Sequence, residues 1–151
     1  MRQFRKGRRL IALCEQKVQN VHRALLRMQS ERSKLIEQIK QCEYELESLA
    51  KALIALHFQD ASVTKADIYR QRKQQSIFLY QRQQVSVERT IHLENLVEID
   101  MDIRRHQTQL AVLKRKEMKF TKWTREGRQK WQMQQDSLAD DESQEVLPWL
   151  S

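Results

Sequence analysis

The chain has 151 residues, enough for one domain at most. Charged residues make up 32% of it, and it has only two glycines and one proline, which excludes a compact fold rich in tight turns. The net charge of +8 is uneven: the residues after 135 include five acids and no base, so the rest is strongly basic and suits an acidic partner, either nucleic acid or an acidic protein surface.

The N-terminal "MRQFRKGRRL" is basic, but no uninterrupted apolar segment follows. No cleaved signal peptide is expected. No apolar run approaches the roughly 18 residues of a membrane span. A cytoplasmic location is the expectation.

A first helix is predicted over about 4–57. Ile11, Cys14, Val18, Val21, Leu25, Met28, Arg32, Leu35, Ile39, Cys42, Leu46, Leu49, Leu53 and Leu56 recur at alternating spacings of three and four. Only Arg32 among them is polar. The pattern is a heptad seam, the signature of a coiled coil. Cys14 and Cys42 would lie about 42 Å apart on one helix, far beyond disulfide reach, so both are expected as free thiols in the seam.

The seam stops at "HFQDASVTKADIY". Asp60, Ser62 and Thr64 favour a turn, placed at 58–64. Thr64 and Asp67 have the spacing of a capping box, with Val63 and Ile68 as its hydrophobic staple. A second helix is predicted over about 65–135, with a seam of Ile68, Gln75, Phe78, Arg82, Val85, Arg89, His92, Leu96, Ile99, Ile103, His106, Leu110, Leu113 and Phe120. Its first part is polar and is expected to pack loosely. The acidic stretch from 137 to 151 reads as a flexible, disordered tail.

A short loop makes two long helices antiparallel neighbours. The predicted fold is all-α: a long antiparallel two-helix coiled-coil hairpin over 1–136, followed by the tail over 137–151. Folding back at residue 61 pairs positions whose numbers sum to roughly 122. Arg32 then meets Arg89, and helix 2 overhangs helix 1 from about Lys119. That overhang, "KFTKWTREGRQKWQ", holds Phe120, Trp123 and Trp131 among bases, beside the basic block Arg5, Lys6, Arg8 and Arg9. The aromatics there can be packing for the N-terminal segment, Phe4 included. They can equally be anchors of a protein interface, where Trp and Arg concentrate, or stacking platforms for single-stranded nucleic acid.

His22, His57, His92 and His106 have no metal-site spacing: His92 and His106 share a face but stand about 21 Å apart. No glycine-rich phosphate loop exists, and a simple hairpin has no enclosed pocket in which to tune a pKa. Neither catalysis nor a metal or other cofactor is expected.

At "ADIYRQRKQQSIFLYQRQ" and "KFTKWTREGRQKWQMQQ" the chain resembles the type III secretion stalk proteins of the SpaM/InvI kind, relatives of YscO and FliJ. Lys73, Gln74, Gln75, Ser76 and Ile77 follow an acidic-Ile-Tyr opening, with one extra Gln. Trp123, Arg125, Gly127 and Trp131 match a basic segment near the C-terminus. The likeness covers residues 66–135; over helix 1 it is a shared heptad habit.

The resemblance implies a stalk that contacts a hexameric export ATPase, promotes its assembly and activity, and bridges it to the export gate at the cytoplasmic base of the secretion apparatus. Some members also bind secretion chaperones. It implies an ATPase-binding end of Arg5, Lys6, Arg8, Arg9, Phe120, Lys122, Trp123, Arg125, Arg128 and Trp131. A gate-binding face is placed at Tyr69, Arg70, Arg72, Lys73 and Ser76. On this reading nucleic acid is not a partner and the free chain is a monomer. A chaperone, a basic nucleic-acid-binding hairpin and a homodimeric coiled coil are the competing readings.

Overall fold

The computed structural model describes residues 2–57 and 64–146. Among them are two helices and no strand: α1, Arg2–His57, and α2, Lys65–Val146. They pack antiparallel as an all-α helical hairpin. Residues 58–63 of the loop expected at 58–64, Val63 of the proposed staple among them, and residues 147–151 lie outside the described residues.

The start of α2 is the expected capping box. Thr64 Oγ1 accepts from the Asp67 backbone N–H at 3.3 Å, and Asp67 Oδ2 accepts from the Thr64 N–H at 3.3 Å. Two backbone N–H donors are satisfied reciprocally at a helix end where such donors lack acceptors. The Thr64 hydroxyl also donates to Asp67 Oδ2 at 2.8 Å.

The far end of α2 corrects the sequence reading. The helix continues to Val146 instead of ending near 135, so residues 137–146 are helical and not a disordered tail. The physical reason lies in propagation. No Gly or Pro interrupts 128–146, and adding one residue to an existing helix avoids the cost of a new nucleus.

The hairpin divides into two units: one of residues 1–25 with 105–151, and one of 26–104. In the first, the terminal unit, Cys14, Val21, Leu25 and Leu113 are buried, together with Gly7 and Thr124. In the second, the loop-side unit, only Ile39, Cys42 and Ile103 are buried. Every expected seam position of α1 is buried or half-buried except Arg32. On α2 the exceptions are Ile68 and Arg82, both exposed.

The register also differs from the expectation. Arg32 does not meet Arg89. Its Nε donates to Asp100 Oδ1 at 2.7 Å, while Arg89 Nη2 donates to Glu43 Oε1 at 3.1 Å. Each arginine thus has its own carboxylate across the hairpin, and two like charges are kept apart. Near the loop the Gln71 side-chain amide donates to the Leu56 carbonyl. The two arginine partners lie about ten residues, roughly 15 Å, further along α2 than a fold-back centred on residue 61 would give, and Gln71 about five. The first turn of α2 therefore has no α1 beside it, and residues 64–70 are all exposed.

Candidate functional site: a basic aromatic helix end

The two glycines sit inside helices, at the contact between α1 and α2. A Cβ on Gly7 would overlap Thr124 Oγ1 and stand 3.0 Å from Thr124 Cβ. A Cβ on Gly127 would stand 2.8 Å from the side-chain amide nitrogen of Gln3. Glycine costs a helix about 1 kcal/mol relative to alanine. Here the missing side chains let the two backbones approach. Thr124, the buried polar residue opposite Gly7, is satisfied by donating its hydroxyl to the Phe120 carbonyl at 2.7 Å.

This contact moves the overhang. The expectation placed its start at Lys119, leaving three aromatics uncovered. Instead α1 reaches Gly127 through Gln3, so Phe120 and Trp123 are half-buried on the side that faces α1. For these two aromatics, packing against the N-terminal segment is what the structure contains. From Trp131 to Val146 every residue is exposed.

Trp131, 42% exposed, is the aromatic that stands clear. It shares a groove of about 450 Å³ with Gln3, Phe4, Gly127, Arg128, Lys130 and Gln134. The absent Gly127 side chain opens the floor of this groove. The Phe4 ring is approached by two guanidinium groups, Arg8 at 5.8 Å and Arg128 at 6.0 Å from its centroid. That is cation–π range. Of the expected ATPase-binding residues, the structure gathers Arg8, Arg128 and Trp131 around Phe4. Arg5, Lys6, Arg9, Lys122 and Arg125 are exposed on the same unit without lining the groove. Gln3, Phe4, Gly127, Lys130 and Gln134 are the groove members that the sequence reading left out of its site. The basic character of "RQFRKGRR" was visible, but only the register shows which turn of α2 Phe4 faces.

Of the expected gate-binding residues, Tyr69 is 70% exposed, and Arg70, Arg72, Lys73 and Ser76 are exposed with it. The Ser76 hydroxyl donates back to the Arg72 carbonyl at 3.0 Å, so it is satisfied within its own helix. Further along α2, Ile77, Tyr80, Val87 and Ile91 are also exposed. Their spacings of three, seven and four make a second apolar seam, on the face turned from α1. Its sequence signal is a second set of apolar residues at heptad-like spacing, offset from the seam that meets α1.

Cys14 and Cys42 are free and buried. Burial first, then the nearby charges of Glu88 and Glu45, pushes the Cys42 thiol above its ordinary value, with Arg89 opposing. Among the described residues no group of three or more His, Cys, Asp and Glu stands close enough to hold a metal ion. No described helix is long and apolar enough to cross a membrane.

No curated protein matches the chain, and no solved structure does. The family described as Salmonella surface presentation of antigen gene type M protein matches residues 5–147, covering nearly all of both helices and the α2 side of the groove. The chain therefore belongs to this family, and is a type III secretion protein of the SpaM/InvI kind.

Proposed function

We propose that the protein is a non-catalytic stalk of the secretion apparatus, docking through its basic aromatic end on the hexameric export ATPase and promoting assembly and activity of the ring. The groove between Phe4 and Trp131, walled by Arg128 and Lys130, is the observation that carries this reading. Exposed Trp and Arg around a concave apolar floor have the composition of an interface hot spot. The other partner is the export gate, at the cytoplasmic base of the apparatus. Its contact is assigned to the exposed face from Tyr69 to Ser76, continued by Ile77, Tyr80, Val87 and Ile91.

The test is ATP turnover by the cognate ATPase, titrated with this protein and its variants. Stimulation saturating near one chain per hexamer is expected. Trp131→Ala should abolish it with little loss of thermal stability, because Trp131 is an exposed side chain lining the groove. Trp123→Ala should instead lower stability. Absence of both stimulation and complex formation, with the helices intact, would move the assignment to a secretion chaperone. Binding to nucleic acid with a steep salt dependence would move it to a phosphate-binding hairpin.

A further inference from the structure

The end of the molecule that carries the groove also carries a helical extension with no other described segment beside it. Residues 131–146 continue α2 as an exposed helix. About 16 residues of helix are marginal in water without tertiary packing. Trp131, Leu138 and Val146 fall on one face of this extension, at spacings of seven and eight, and all three are exposed. Glu142 and Glu145 lie on the same face.

The charges at this end are placed against the helix dipoles. The first turn of α1 has no acid, and five bases fall within residues 2–9. The last turn of α2 has no base, and five acids fall within 136–145. Bases crowd a helix N-terminus and acids a helix C-terminus, the unfavourable order at both. No ion pair among the described residues relieves this. The unbroken helix carries Glu145 about 25 Å beyond Arg128, away from the basic block.

We propose that this end pairs with the same end of a second copy. The two extensions lie antiparallel, Leu138 against Leu138. Glu142 and Glu145 of each then reach the groove end of the other, where Arg128 and Lys130 stand with Arg2 and Arg5. The arrangement is isologous: each copy gives one acidic extension and receives one, so it closes at two chains. It covers Trp131 and the exposed apolar face together. It also places a C-terminal acidic end beside an N-terminal basic end, which reverses the sign of both unfavourable dipole contacts. The overlap is short, so the association is weak, reversible and sensitive to salt. The proposal does not rest on ATPase docking. It uses the same end, and an ATPase seated there would displace the second copy.

Sedimentation equilibrium of the full chain, from micromolar to millimolar concentration, tests this. Salt should be set at about 0.01 M and about 1 M, where the Debye length falls from roughly 30 to 3 Å. The weight-average mass is expected to rise from one chain towards two at low salt and to stay at one chain at high salt. Two charge-reversed proteins sharpen the test: Glu142→Lys with Glu145→Lys, and Arg128→Glu with Lys130→Glu. Each alone should remain monomeric, and their equimolar mixture should form a heterodimer, because both contacts then become complementary. These positions are exposed, and circular dichroism checks that the helices persist. A one-chain mass throughout would overturn the proposal. So would association indifferent to salt and to the reversals, a mixture that stays monomeric, or growth beyond two chains.

Discussion

The terminal and loop-side units use the same two helices and are held in different ways. In the terminal unit the helices approach over small residues: Gly7 faces Thr124, and Gly127 faces Gln3. In the loop-side unit long side chains bridge them, in the Arg32–Asp100 and Arg89–Glu43 pairs and the Gln71 contact to the Leu56 carbonyl. No α2 residue from 71 to 102 is buried, and His92 Nδ1 is buried without a hydrogen-bond partner. Close backbone approach tolerates little change. Bridged packing tolerates more, because a long side chain can move. The first half of α2, expected to pack loosely from its Gln, Arg and His content, has no buried residue before Ile103.

The sharpest way to break this comparison lies in the glycines. Gly7→Ala is expected to destabilise the protein. The new methyl meets a threonine that cannot swing its Cβ away, and overpacking costs about 1–3 kcal/mol, against about 1 kcal/mol gained in helix propensity. Thr124→Ala should restore most of the loss by removing the overlapping hydroxyl. Gly127→Ala meets only the flexible end of Gln3, so it should be neutral or stabilising by up to about 1 kcal/mol. Thermal melts of the three variants decide the matter. Equal effects at the two glycines would mean that the approach is not tight at Gly7.

A smaller effect of opposite sign is expected in the loop-side unit. His92→Leu removes an unsatisfied buried nitrogen from a seam position and should stabilise by about 1 kcal/mol. A melting temperature unchanged or lowered would show that His92 has a partner in solution. Smaller again is the coupling between Arg89 and Glu43. Both side chains are about half exposed, and a double-mutant cycle should give no more than about 1 kcal/mol, weakening with salt. A coupling of several kcal/mol would mean that the loop-side unit is held as tightly as the terminal one.

The smallest effect is the response of Cys42 to pH. Its folded pKa is raised, so the neutral thiol is the form favoured by folding. This contribution is complete below the ordinary thiol pKa and is lost as pH rises through the raised one. Alkylation of native protein at mildly alkaline pH should therefore be slower at Cys42 than after unfolding. Equal rates would mean that the loop-side core opens freely.

Much of this was legible in the chain before folding was considered. The α1 seam from Ile11 to Leu56, the Thr64–Asp67 cap, the hairpin and the basic end follow from spacing and residue chemistry, which act locally. The resemblance at 66–135 pointed to the family that matches residues 5–147. The roles of Gly7 and Gly127 were not legible. A glycine in a sequence signals a turn more readily than a close helix contact, and the two purposes look alike until the partner residue is known.

The sequence by itself determined which face of each helix turns inward, because the 3.5-residue period places the same residues in the seam however the helices slide. For that reason it could not determine the register: a slide of a whole heptad leaves the apolar pattern intact. The tertiary structure decided it, through the fit of Thr124 over Gly7 and the pairing of Arg32 and Arg89 with separate carboxylates. That register covers Phe120 and Trp123, leaves Trp131 clear, and fixes where α2 runs on alone.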